Sequence, residues 1–163
     1  MSLRLPGELV TLLNELGYAW PESDEEHLIS LGRQWLDFAN LIEDIRLDAT
    51  VAARQMADDH TARAINEFLE AWQADDSGAA ALTRGNAGAI AVGGGLTLCA
   101  GVVLAMKINV IVQLTLLAAQ IIQAIATAAP TLGASLLEVP IFKQLTQAAI
   151  NVLIDEAMEA VIG

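Results

Sequence analysis

Residues 85–137 read GNAGAIAVGGGLTLCAGVVLAMKINVIVQLTLLAAQIIQAIATAAPTLGASLL, with Lys107 the single charged residue among them. The uncharged run before Lys107 and the longer one after it each reach the length, at about 1.5 Å per residue, that a helix needs to cross a hydrocarbon core of about 30 Å. A pair of membrane spans is therefore the first reading to test. Two features oppose it. Met106-Lys107-Ile108-Asn109 contains no Gly, Pro or other turn residue, so nothing lets the chain reverse between the runs. Asn109, Gln113, Gln120, Gln123 and Thr127 also form a narrow polar stripe that is poorly suited to lipid. The stretch reads instead as one long helix that must be buried by the chain itself or by a partner.

The rest of the chain supplies a companion for that helix. Ser23-Asp24-Glu25-Glu26 is a capping-box sequence with carboxylates at the positive helix end. Beyond it Leu28, Leu31, Trp35, Phe38, Ile42, Ile45, Ala49, Ala52 and Met56 alternate at spacings of three and four, the stripe of a long helix packed along another at a shallow angle. The register breaks at Asp58-Asp59-His60-Thr61 and resumes with Ile65, Phe68 and Trp72. Asp75-Asp76-Ser77-Gly78 is the only good turn before the apolar half.

A first arm over 24–74 and a second, apolar arm over 79–129 then have equal lengths and meet at that turn. They make an antiparallel hairpin with arms of about 75 Å if straight. Residues 1–23 hold a short N-terminal helix and the Trp20-Pro21 connector, with Trp20 anchoring the connector to the core. Residues 131–140 are a loop and 141–162 a last amphipathic helix. The fold class expected is all-α: a single domain, an elongated hairpin whose open end is thickened into a bundle by the two terminal helices. Trp20, Trp35, Phe38 and Ile42 are expected inside that bundle against residues 108–129. Along the second arm, Ala87, Ala91, Gly95 and Cys99 recur every four residues as a ridge of small side chains open to close approach by another helix. The run Gly93-Gly94-Gly95 predicts a bend or short break, since glycine costs about 1 kcal/mol relative to alanine inside a helix.

Composition narrows the function. The chain has 163 residues, a formal charge of -12 and a pI near 4.3, the opposite of a phosphate-binding surface, so nucleic acid is not a partner. Anionic headgroups are disfavoured as a first contact for the same reason. The N-terminus lacks a basic region followed by an apolar core and cleavage site, so any export uses a route independent of a signal peptide. One cysteine, Cys99, excludes an intrachain disulfide.

Candidate chemistry is thin. His27 and His60 stand far apart with no metal-ligand spacing, Gly93 to Gly95 lacks the trailing Gly-Lys-Ser/Thr of a phosphate loop, and no nucleophile sits beside a base. No enzyme, cofactor or metal is expected. The polar stripe from Asn109 to Thr127 has two readings: amide contacts or a wet seam within the bundle, or the lining of a channel formed when the bundle opens and inserts 85–137 into a bilayer.

Leu5-Pro6-Gly7-Glu8-Leu9, Gly17-Tyr18-Ala19-Trp20-Pro21, Asp24-Glu25, Leu31, Trp35, Phe68-Leu69-Glu70-Ala71-Trp72, Lys107-Ile108 and Gln113-Leu114 together resemble the N-terminal, W-x-G-like helical domain of actinobacterial polymorphic toxins. That family includes the N-terminal half of the mycobacterial outer-membrane channel and necrotising toxin, and it is similar to the helical hairpins exported by type VII secretion. The resemblance implies a non-enzymatic secretion, targeting and interaction module of a secreted toxin. It would be cytoplasmic before export and secreted or held at the cell surface afterwards, with a helical protein and the secretion machinery as partners; the residues themselves point to another chain, a second copy included, or a membrane on the apolar tip, Ala87 to Met106, which is apolar all round. The alternative is a membrane-inserting channel or pore-forming domain. Trp20, Pro21, Trp35, Phe68, Trp72, Ala87, Ala91 and Gly95 are the candidate structural and interaction residues. Trp72 is followed by Gln73-Ala74, so no literal Trp-x-Gly is present. The sequence stops at Gly163 just after a helix, as a domain of a longer protein or a toxin without cargo would.

Overall fold

The computed structural model describes residues 3–58 and 63–162. Among them are five α-helices and no strand: α1 (Gly7–Glu15), α2 (Glu25–Asp58), α3 (Arg63–Gln73), α4 (Gly78–Ala126) and α5 (Val139–Ile162), with a 3-10 segment Ala134–Glu138 before α5. The all-α expectation holds. By its contacts the chain falls into two compact units, one of Met1–Glu26 with Leu98–Gly163, the other His27–Thr97.

In the first unit, α1 starts after Pro6, whose φ of -55° is pre-set for a helix start, and ends where Gly17 takes the left-handed φ of 87°. That turn satisfies the last carbonyls, since the Gly17 amide donates to Asn14 and the Tyr18 amide to Leu13. Leu13 and Leu16 then meet Val110, Leu114 and Leu117 of α4 and Ile150 of α5 in one buried cluster, and Trp20, Tyr18 and Phe142 pack against it. Burying each large side chain of this kind contributes about 1.5–3 kcal/mol. α1 and α5 are therefore the cover for residues 108–129. Polar ties fix α5: the Tyr18 hydroxyl lies 2.6 Å from Asn151 Oδ1, Gln147 Nε2 donates to the Leu16 carbonyl at 2.9 Å, and Lys143 pairs with Glu15 at 2.8 Å.

The second unit pairs α2 with the first half of α4, running antiparallel. Asn86 Nδ2 donates to the Ala39 carbonyl at 2.7 Å, Ile42 packs at Gly85, and Gly93 lies against Gly32. The buried face of α2 is Gly32, Ala39, Ile42 and Ala53. This corrects the expected packing: Ile42 is inside, but it faces Gly85, while Trp35 and Phe38 are 39% and 48% exposed. The physical reason is distance. A Cβ on Gly93 would sit 2.8 Å from the Gly32 carbonyl oxygen, so α2 and α4 approach too closely for aromatics between them. Small residues face the contact and the aromatic stripe turns outward. Of the bend or short break expected at Gly93-Gly94-Gly95, no break occurs. α4 is continuous there, and Gly93 serves as a packing surface. It is also continuous through Met106-Lys107-Ile108-Asn109, as the missing turn signal requires.

The first arm differs from its expected form. α2 ends at Asp58, and α3 runs back beside it, bringing Leu69, Trp72 and Gln73 to one hollow with Arg46, Thr50, Ala53 and Arg54. Residues Asp59, His60 and Thr61 of the expected register break lie outside the described residues. The Asp75-to-Gly78 turn is a bend between α3 and α4. Ser77 caps α4 there, its Oγ accepting the Ala80 amide at 3.1 Å.

Candidate functional site

Among the described residues Lys107 is the largest fully buried side chain, with no exposed area. Its Nζ lies 2.5 Å from Glu25 Oε1, donates to the Ser23 carbonyl at 2.7 Å, and stands 5.7 Å from the centre of the Trp20 ring. Each partner comes from the start of the chain. Pro21 keeps the connector extended, Trp20 Nε1 donates to the Leu3 carbonyl at 3.2 Å, and Glu25 is the first residue of α2. A lone ammonium inside an apolar helix has to be met by a carboxylate and further acceptors, because an unpaired buried charge costs several kcal/mol. Burial alone would push the Glu25 carboxyl up. The hydrogen-bonded Lys107 ammonium and the backbone amides of Glu25 and Leu3 outweigh it and hold its pKa below the ordinary carboxylate value. The arrangement is a structural anchor, tying the connector and the first turn of α2 to α4.

In the second unit the outward face of α2 carries Leu31, Trp35 and Phe38 around a shallow hollow of about 200 Å³. The Trp35 and Phe38 rings meet edge to face at 6.0 Å. Leu41 and Ile45 extend the face, both about half exposed. On α3, Phe68 and Trp72 are half-buried with ring centres 6.1 Å apart. A hollow of about 480 Å³ beside Trp72 is lined by Arg46, Arg54, Gln73 and Thr83. Arg46 is held by Glu43 at 2.6 Å, which raises the guanidinium pKa and lowers that of the carboxyl.

The remaining candidates are scattered. Ala87, Ala91 and Gly95 are exposed, and the close helix contact runs through Ala89 and Gly93 on another side of α4. Pro21 is half-buried in the connector. Of the polar stripe, Asn109, Gln120 and Gln123 are exposed and Gln113 and Thr127 half-buried. The Thr127 hydroxyl donates to the Gln123 carbonyl at 2.9 Å. Among the described residues no group of His, Cys, Asp and Glu could hold a metal ion. Sequence reasoning singled out Lys107 only as an interruption and missed its partner. The signal was there, since a solitary charge in so long an apolar run demands a counter-charge. Which of the many carboxylates supplies it depends on the fold.

Helices joined through small-residue faces, with aromatic and aliphatic stripes left open, define a class: all-helical bundle proteins. The chain belongs to the WXG100-like family, whose model matches residues 5–149. Comparison with curated proteins and with solved structures gives no match. Membership places the chain among type VII secretion-related helical proteins, a family whose members typically form helical hairpin dimers with partner proteins.

Proposed function

We propose that this chain is the secretion, targeting and partner-binding module of a type VII-secreted toxin, presenting the outward face of α2 to a helical partner. The observation that carries this reading is Leu31, Trp35 and Phe38 at helical spacing on an open face around a shallow hollow. Aromatic anchors in such a position are where interface energy concentrates, and the i, i+4, i+7 spacing fits an apolar helix laid into a groove. The toxin cargo is carried or routed by the module and plays no part in its fold. The test is co-purification with the small helical proteins encoded beside it, followed by mass measurement of the complex. Trp35→Ala with Phe38→Ala should weaken that complex by at least about 30-fold, the equivalent of one hot spot of about 2 kcal/mol, with the helical circular dichroism unchanged. Unchanged affinity would remove this face from the interface.

One observation favours a second reading, a membrane-inserting channel domain. The most apolar window of the Arg63–Ala126 segment is long enough to cross a membrane, and only 17% of it is buried. Dye leakage from liposomes that is lost on Gln120→Leu with Gln123→Leu would support it. No leakage between pH 4 and 7 would end it.

A further inference from the structure

The connection between α4 and α5 has a chemistry unlike the rest of the surface. Residues 108–137 contain no charged side chain. The last turns of α4, the connection and the first turns of α5 expose Ile122, Ile125, Leu132, Leu137, Ile141 and Leu145, each more than half exposed, with Leu132 at 96%. Leu132 also holds a left-handed φ of 52°, a conformation that glycine or asparagine adopts at less cost than a leucine. An apolar side chain is thus held fully in solvent by a backbone that does not favour it, which is an observed outlier pointing to function.

The backbone amides and hydroxyls of the connection itself are bonded internally. The amides of Thr131, Leu132, Gly133, Ala134 and Leu136 donate to carbonyls within the connection or the end of α4, among them Gly133 to Ala128 at 2.8 Å. The Thr131 hydroxyl donates to the Thr127 carbonyl at 2.7 Å, and the buried Ser135 hydroxyl to the Ala124 carbonyl at 2.7 Å. Of the nearest charges, Lys143 is engaged by Glu15, and Glu138 sits at the edge of the segment. An apex that shows aliphatic side chains outward while bonding its own backbone meets the requirement that hydrocarbon imposes on irregular chain.

We propose that this apex, residues 122–137, is a lipid-contact element that dips into the interface of an uncharged membrane surface. The absence of charge on the apex matches a zwitterionic bilayer, and the net charge of -12 opposes an anionic one. The exposed amides of Gln120, Gln123 and Gln144 face the headgroups while the aliphatic residues enter to the about 5–10 Å typical of interfacial elements. No spanning segment is required, so the apex stands independently of the channel reading.

The test is flotation of the full chain with dioleoylphosphatidylcholine vesicles. The chain should float, and Leu132→Ser with Leu137→Ser should lower its partition coefficient at least tenfold with helical content unchanged. Vesicles rich in phosphatidylserine should bind it more weakly. A fluorophore on Leu132→Cys in a Cys99→Ala background should be quenched by brominated acyl chains. Flotation without dye leakage supports the apex and ends the channel reading. Absence of flotation at millimolar lipid, equal flotation of the double serine variant, or a lipid-free dimer that this variant dissociates would overturn the proposal, the last by showing that a second copy is the occupant.

Discussion

Replacing Glu25 by Gln leaves the Lys107 ammonium where it is, with no exposed area, and removes the carboxylate 2.5 Å from it. The Ser23 carbonyl and the Trp20 ring remain, one neutral acceptor and one weak cation–π contact. Removing one partner of a buried pair costs about 3–5 kcal/mol, a large share of the stability of a domain this size. Glu25→Leu with Lys107→Met removes both charges and keeps apolar volume, so it should recover stability to within about 1 kcal/mol of the parent, or exceed it. Urea unfolding followed by far-ultraviolet circular dichroism measures both. The pH dependence has a definite sign. The folded pKa of Glu25 lies below its ordinary 4.5, so its contribution is fully present above the unfolded value and is lost as pH falls through the folded one. The parent should therefore weaken below about pH 4.5, while the Leu/Met double variant loses that part of the acid sensitivity. A loss below about 0.5 kcal/mol for Glu25→Gln, or a double variant as unstable as the single, would refute the role assigned to the pair.

The glycines of the 93–95 run should respond in opposite directions. Gly93→Ala places a methyl 2.8 Å from the Gly32 carbonyl oxygen and should destabilise by about 1–3 kcal/mol through forced separation of α2 and α4. Gly95→Ala meets nothing within 4 Å and should stabilise by about 0.5–1 kcal/mol on helix propensity. Thermal melts of the two variants side by side decide this, and matching signs would contradict the packing. Ser135→Ala removes the buried hydroxyl bonded to the Ala124 carbonyl and should cost about 1–2 kcal/mol in urea unfolding, with no change in partner binding through α2.

The helical class, the short helix near the N-terminus, the continuity of α4 through Lys107 and the lone status of that residue are legible because each rests on local rules. Proline before α1, glycine after it, and the lack of any turn residue around Lys107 act within a few positions. The stripe from Leu28 to Met56 is just as regular, yet its regularity establishes an amphipathic helix without saying which side goes in. Two candidate faces existed on α2, one aromatic and one of small residues, and hydrophobicity favours the aromatic one. The contact was decided by how near α4 comes, and Gly32 against Gly93 leaves no room for rings. The length match of the two arms had the same weakness: it treated Asp75 to Gly78 as the reversal, where Ser77 in fact caps a helix that only bends.

The sequence by itself therefore determined that this chain is helical, that it is acidic everywhere except along one apolar helix, and that this helix carries one charge in need of a partner. Local propensity, capping and composition are properties of short windows, and they do not change with the fold. Only the tertiary structure decided that Glu25 answers Lys107, that glycine faces glycine between α2 and α4, and that Trp35 and Phe38 are left partly exposed. Those are pairings between residues far apart in the chain, selected by distance and desolvation, and no periodicity along one strand of sequence contains them.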